Sequence, residues 1–207
     1  TIYFHLFGSE SDQEFQSLAS EISPILAKYN NDVMLDVDLF KKVEYVYKKL
    51  KPEMSKQDQK LTEVWYKDFI RNGALLDTTK KDELRQIDEE LSVLSPNFQN
   101  NNLNATNAYE LWLSEGDLAG LPSTAIEAAE IAAKAKGKKD KFLITLQATS
   151  FQPFITFSEN RDLRKEIFTA FTSKCNGDEF DNTSIVKQIV KLKHKRARLL
   201  GYENFAD

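Results

Sequence analysis

The chain has 207 residues, 41% of them hydrophobic and 29% charged, with a formal net charge of −4; this is a globular balance, long enough for one large domain or two small ones. The acidic surplus gives no support to a nucleic-acid or anionic-membrane partner, and no apolar run approaches the ~20 residues that span a bilayer. The single Cys175 excludes an internal disulfide and, with no neighbouring base in sequence, reads as a small buried or half-buried side chain rather than a nucleophile.

Seven Gly and five Pro favour long helices over many short strands. Ile2, Tyr3, Phe4, Leu6 and Phe7 form a short apolar stretch. Ser11-Asp12-Gln13-Glu14 has the form of a capping box, and Phe15, Leu18, Ala19, Ile22, Ile25 and Leu26 follow at helical spacing. Pro24 falls inside that pattern and is expected to kink or interrupt it. A second helix is predicted from Asp36 or Asp38, with Leu39, Phe40, Val43, Val46, Tyr47 and Leu50 on one face before Pro52. A third is capped by Ser55-Lys56-Gln57-Asp58, carries Leu61, Val64, Trp65, Phe69 and Ile70, and stops at Gly73. The fourth follows Asp77-Thr78-Thr79 and repeats Leu84, Ile87, Leu91, Leu94 and Phe98, although Pro96 and the run Asn100-Asn101-Asn102 argue locally for a break.

The pattern changes after residue 107. Tyr109, Leu111 and Leu113 alternate with polar or amphipathic neighbours, which predicts a short strand. Gly120-Leu121-Pro122-Ser123 predicts a turn into an Ala-rich helix over 124–136, ended by Gly137. Phe142 to Leu146 reads as the best strand and Phe154 to Phe157 as the next, with Pro153 placing the pair at an edge or hairpin. Two closing helices are predicted over 159–174 and 182–200, the last with Asn182 as N-cap and Gly201 just past its end. The fold class is therefore mainly α, with a small antiparallel sheet in the second half. The composition change divides the chain into a helical region, 1–107, and a region of small sheet plus helices, 108–207, expected to pack as one unit.

Chemistry is thinly represented. A catalytic zinc needs converging His and carboxylate ligands with an open water position, whereas this chain has only His5 and His194, far apart in sequence. There is no Gly-x-Ser-x-Gly elbow and no Gly-rich phosphate loop. Glu89-Glu90 reads as a solvated helix face. The strongest charged feature runs from Lys187 to Arg198, where Lys187, Lys191, Lys193, Lys195, Arg196 and Arg198 alternate with Ile189, Val190 and Leu192. It fits an amphipathic helix with a basic solvent face better than a phosphate-binding surface. Arg161 and Arg164 are expected to make structural ion pairs. No catalytic, cofactor-binding or metal residue is expected in these 207 positions.

One colinear series of motifs carries more information than any single residue. Ile22-Ser23-Pro24, Asp38-Leu39-Phe40, Arg71-Asn72-Gly73-Ala74 and Leu91-Ser92-Val93-Leu94 are followed by Leu118-Ala119-Gly120-Leu121-Pro122 and Ile144-Thr145-Leu146. Arg161-Asp162-Leu163-Arg164, Asp181-Asn182 and Ala197-Arg198-Leu199-Leu200-Gly201-Tyr202 complete it. In this order they resemble the thimet oligopeptidase and peptidyl-dipeptidase family of zinc metallopeptidases, nearest to the dipeptidyl carboxypeptidase branch. Lys193, Lys195 and Ser173-Lys174-Cys175 depart from the usual pattern. The resemblance implies a largely helical fold with a minor sheet, a long helix continuing with a bend across Pro96, and hydrolysis of short peptides with release of carboxyl-terminal dipeptides. It also implies that the zinc, its His-Glu-x-x-His motif and the general base lie downstream of residue 207, leaving these residues as a non-catalytic amino-terminal channel wall whose partner is that downstream part. The opening on Thr1 and the stop at Asp207 fit a piece of a longer protein, expected in the cytoplasm with the periplasm left open. A stand-alone helical interaction module, binding nucleic acid through 187–198, is the competing reading. The two ends, Tyr3, Phe4 and Phe7 and then Leu199, Leu200, Tyr202 and Phe205, are expected to expose apolar surface and to favour self-association.

Overall fold

A computed structural model describes residues 2–9 and 12–207; Ser11 of the expected capping box lies outside them. The described residues contain nine α-helices and one two-stranded antiparallel sheet, with a π-helical segment over Val46–Leu50, where the second predicted helix was expected to continue, and two short 3-10 turns. They form two compact units, residues 1–97 with 185–207, and residues 98–184.

In the first unit, α1 (Ile2–Ser9) is helical where the sequence showed only a short apolar stretch. It packs on α2 (Gln13–Met34). The Asp12 carboxylate caps α2 by accepting the Phe15 N–H at 2.8 Å. Pro24 lies within α2 without ending it; it removes one N–H donor, and the remaining hydrogen bonds and the burial of Ala19, Ser23 and Asn31 hold the helix. Asp36 caps α3 (Val37–Tyr45), accepting the Leu39 N–H at 2.7 Å. Ser55 caps α4 (Lys56–Arg71), which ends at Asn72 ahead of Gly73 at φ +91°. Phe40 of α3 and Phe69 of α4 bury against each other and against Ala74.

The helix α5 (Thr78–Ala108) runs unbroken for 31 residues through a buried Pro96. The Asn run does not break it, because Asn101 is engaged in packing: its amide donates to Asn182 Oδ1 at 2.9 Å. Asn182 is buried and turns its side chain to α5, also donating to the Phe98 carbonyl at 3.1 Å. Asp181 Oδ1 accepts the Thr183 N–H at the start of α9 (Thr183–Leu199). Gly201, at φ +90°, closes α9, and the Tyr202 N–H returns to the Ala197 carbonyl at 2.9 Å.

In the second unit, β1 (Leu111–Leu113) pairs antiparallel with β2 (Phe142–Ile144), Trp112 opposite Leu143. The sheet packs with α6 (Ser123–Ala135), α7 (Ala148–Phe157) and α8 (Arg161–Ser173), burying Leu113, Leu121, Ile144, Leu146, Phe154 and Ile167. One expectation is overturned: Phe154 to Phe157 is not a strand but the last turn of α7, with Pro153 inside the helix. Phe151 and Phe154, three residues apart, are the buried pair, while Phe157 is 52% exposed. Helical spacing therefore decides a short apolar run that alternation alone left ambiguous.

Candidate functional site

The sequence-selected titratable residues do not converge. His5 lies on α1 and His194 is exposed on α9. Among the described residues, no group of three or more His, Cys, Asp or Glu is placed to hold a metal, so the residues present do not fit a catalytic zinc, which takes three protein ligands. Glu89 and Glu90 are exposed on α5. Cys175 sits half-buried in the turn after α8, its N–H held by the Asp178 carboxylate. Burial, and then the nearby Asp178 charge, push its thiol up, so it stays a thiol at neutral pH.

Much of the basic face of α9 is tied down within the first unit. Arg196 donates to Asp88 of α5 at 2.8 Å and to Asn72 at 3.2 Å, and both members of the ion pair are largely buried. Lys195 pairs with Glu83 at 2.7 Å, and the Lys193 ammonium stands 4.5 Å from the Phe205 ring centroid. Lys187, Lys191 and Arg198 are exposed. These contacts make α9 a structural brace, and sequence reasoning had no signal for partners that lie about a hundred positions away.

The cavities among the described residues of the second unit include one beside β2 and one beside Tyr109. One, of about 220 Å³, runs between the alanines of α6 (Ala125, Ala129, Ala132) and the end of β2. The other, of about 390 Å³, is bounded by Tyr109, Lys174 and the turn through Gly177. The Tyr109 hydroxyl is buried without a hydrogen-bond partner; burial first, and then the Glu166 charge, push its pKa up to about 12. It is therefore a neutral phenol throughout the physiological range and supplies no base. Glu110 is held below the usual carboxylate range by its hydrogen bond to Lys136 and Asp77 by the Lys80 N–H. These shifts have local structural causes, and neither sets up an acid–base pair.

The motif residues meet at one junction instead. The Ala119 carbonyl accepts the Glu159 N–H at 2.9 Å, the Arg164 guanidinium donates to the Ser158 carbonyl, and Gly120 faces the Phe157 carbonyl so closely that a Cβ would stand 2.2 Å from it. The Leu118–Pro122 turn and the start of α8 are thus two sides of one backbone joint. Arg161 is exposed beside it.

A sequence profile described as peptidase family M3 matches residues 154–207, which cover that joint's α8 side, α9 and the closing turn. "Probable cytosolic oligopeptidase A" of Arabidopsis thaliana is 31% identical over 98% of this chain and 30% of its own length. "Oligopeptidase A" of Escherichia coli K12 is 29% identical over 98% of this chain and 31% of its own. "Dipeptidyl carboxypeptidase" of the same organism is 28% identical over 100% of this chain and 31% of its own. The chain thus spans about 30% of the length of these curated relatives. Motif order, helical architecture and matches over nearly the whole chain agree in making it similar to peptidases of family M3.

Proposed function

We propose that this chain is the amino-terminal, non-catalytic channel wall of a zinc-dependent peptidase that hydrolyses short peptides. The observation that carries it is the match of nearly the whole chain to less than a third of relatives named as peptidases, beside the lack, among the described residues, of any group of ligands placed for a metal. The zinc, its ligands and the general base belong to the part downstream of Asp207; no catalytic step is assigned to a residue here. These 207 residues supply rigid helices, and rigidity is what a wall needs to admit extended peptides and refuse folded ones.

Two specificities fit the family. Identity to the dipeptidyl carboxypeptidases supports release of carboxyl-terminal dipeptides, the reading we adopt from the motif series; the oligopeptidase A relatives support internal cleavage. A fluorogenic peptide tested with a free and then an amidated carboxyl terminus separates them, because a dipeptide-releasing enzyme requires the free carboxylate. A cytoplasmic location fits the plant relative named as cytosolic, and fractionation against compartment markers tests it. No described helix is long and apolar enough to cross a membrane. The competing adaptor reading is weakened by the engagement of Lys193, Lys195 and Arg196 within the fold.

The decisive experiment reads the gene past Asp207 and assays the encoded protein. The expected result is a His-Glu-x-x-His motif and peptide hydrolysis that is abolished by a chelator and restored by zinc, with the 207-residue chain inert. A frame lacking that motif, or turnover by the 207 residues alone, overturns the proposal.

A further inference from the structure

An apolar stripe runs along the outward side of α2. Phe15, Leu18, Ile22, Ile25 and Tyr29 recur at alternating intervals of three and four residues, the a/d spacing of a helix–helix seam. Ile25 is 66% and Tyr29 68% exposed, and Leu18 and Leu26 are also exposed. The helix already has another buried side, through Ala19, Ser23 and Asn31, so the stripe is a second face. Glu14, Glu21 and Lys28 follow one another at seven-residue spacing along its flank, the usual place for charges that border a seam.

The position of α1 indicates what covers the stripe. Its Tyr3 ring stacks on Phe15, the first stripe residue, with centroids 4.6 Å apart, and the Tyr3 hydroxyl donates to the Phe15 carbonyl at 2.6 Å. Since only residues 10–12 separate the helices and residue 3 meets residue 15, α1 folds back antiparallel on α2. A helix continued backward from Tyr3 on that course would pass along α2 from Phe15 toward Tyr29. At 8 residues α1 is far shorter than a self-sustaining helix.

We propose that α1 is the carboxyl-terminal end of a longer helix, supplied by residues that precede it in the full polypeptide, and that this helix lies antiparallel on α2 over Leu18, Ile22, Ile25 and Tyr29. The inference rests on the reading that these residues belong to a longer protein, in keeping with relatives about three times as long. Reaching Tyr29 takes a stretch of about 21 Å, roughly fourteen residues of helix before Tyr3. The occupant is amphipathic, apolar at alternating three- and four-residue intervals, with a basic residue opposite Glu21 and an acidic one opposite Lys28.

The test places a reporter thiol on the stripe. In a Cys175→Ser background, Ile25→Cys and, as a control on the exposed side of α4, Leu61→Cys are made in the 207-residue chain. The same variants are made in that chain extended by the roughly thirty residues its gene encodes ahead of Thr1, enough to carry the helix past Tyr29. Maleimide labelling is timed at low and high protein concentration. The expected result is labelling of Ile25→Cys roughly tenfold slower in the extended chain, reflecting the opening needed to expose it, with Leu61→Cys unchanged. Equal rates at Ile25→Cys in both chains overturn the proposal. So does protection that requires residues downstream of Asp207, which gives the stripe to another part of the protein. Protection in the 207-residue chain that grows with concentration gives it to a second copy and overturns the proposal as well. A longer protein without peptidase activity would defeat the functional reading and leave the labelling ratio standing, so the two failures are distinguishable.

Discussion

Gly120→Ala is the sharpest test of the backbone joint between the Leu118–Pro122 turn and the α7–α8 connection. Gly120 has φ +85°, a conformation that costs an L residue about 1–2 kcal/mol. A Cβ there would stand 2.2 Å from the Phe157 carbonyl oxygen and 2.9 Å from Glu159 Cγ. The carbonyl is backbone, so the two segments must separate. That stretches or breaks the Glu159 N–H bond to the Ala119 carbonyl, worth about 1 kcal/mol, and adds roughly 1–3 kcal/mol of overpacking. Alanine lowers the entropy of the unfolded chain and returns about 0.4–1 kcal/mol. The net loss is about 2–5 kcal/mol, a large fraction of the stability of an ordinary domain.

Two other glycines isolate the parts of that figure. Gly137 has φ +74° with nothing within 4 Å of a built Cβ, so Gly137→Ala carries the conformational cost alone and loses about 1 kcal/mol. Gly116 has open space and no positive φ, so Gly116→Ala is neutral or stabilising by up to about 1 kcal/mol. Urea titration followed by Trp112 fluorescence in a Trp65→Phe background reports on the second unit, because the chain has only these two tryptophans. If Gly120→Ala shifts the midpoint no more than Gly137→Ala does, the contact with the Phe157 carbonyl is not as described, and the joint between the two motifs loses its physical basis.

Arg196→Met leaves the Asp88 carboxylate half-buried without its partner and should cost about 2–3 kcal/mol by chemical denaturation, whereas Lys195→Met, at an exposed pair, should cost less than about 0.5 kcal/mol; equal losses would refute the brace role of Arg196. Phe151→Ala and Phe154→Ala should each cost about 3–5 kcal/mol, since both rings are buried on one face of α7; an extended segment would turn residues three apart to opposite faces and make one of the two losses small. The Tyr109 phenol, pushed up to about 12, binds its proton more tightly folded than unfolded. Its stability contribution is therefore whole below about pH 10 and is lost as pH rises through about 12. Difference absorbance at 295 nm between wild type and Tyr109→Phe should show its ionisation late in the tyrosine titration, and an ordinary midpoint would refute the burial. Tyr109→Phe should leave neutral-pH stability unchanged or slightly raised, because the hydroxyl has no partner to lose.

Helix positions were legible wherever a cap and a 3.6-residue period agreed. Asp36, Ser55 and Gly201 sit where their chemistry puts them, since a short side-chain acceptor or a left-handed glycine acts on its own neighbours in sequence. Legibility failed where the deciding partner was remote. The Asn100-Asn101-Asn102 run argues locally for a break, and only the resemblance implied continuation, because local propensity knows nothing of Asn182, eighty-one positions from Asn101. Asn182 looked like a cap for the same reason, and its side chain serves α5. Phe154 to Phe157 looked like a strand because four apolar-rich residues satisfy either period, and burial of Phe151 beside Phe154 chose the helix. The apolar ends divide: Phe7 is buried, Phe4 and Phe205 are exposed as expected, and Ile25 and Tyr29 add exposed apolar surface inside the chain that the reading of the ends passed over.

The functional reading was reached by a different route from the fold. No nucleophile, base or ligand set stands out in the sequence, and the His and Cys residues that could raise one do not meet among the described residues. What stood out were Leu118–Pro122, Arg161–Arg164 and Ala197–Tyr202. In the structure these are a turn that admits only glycine at its tightest point, a helix start fastened to the Ser158 carbonyl, and a helix end closed by a left-handed glycine. Such residues answer to backbone geometry, which tolerates few alternatives and is therefore specific to a scaffold. They say which scaffold this is and nothing about the bond it cleaves. In this chain the likeness to that family is written in its joints, and the reaction must be sought in residues that the joints hold in place.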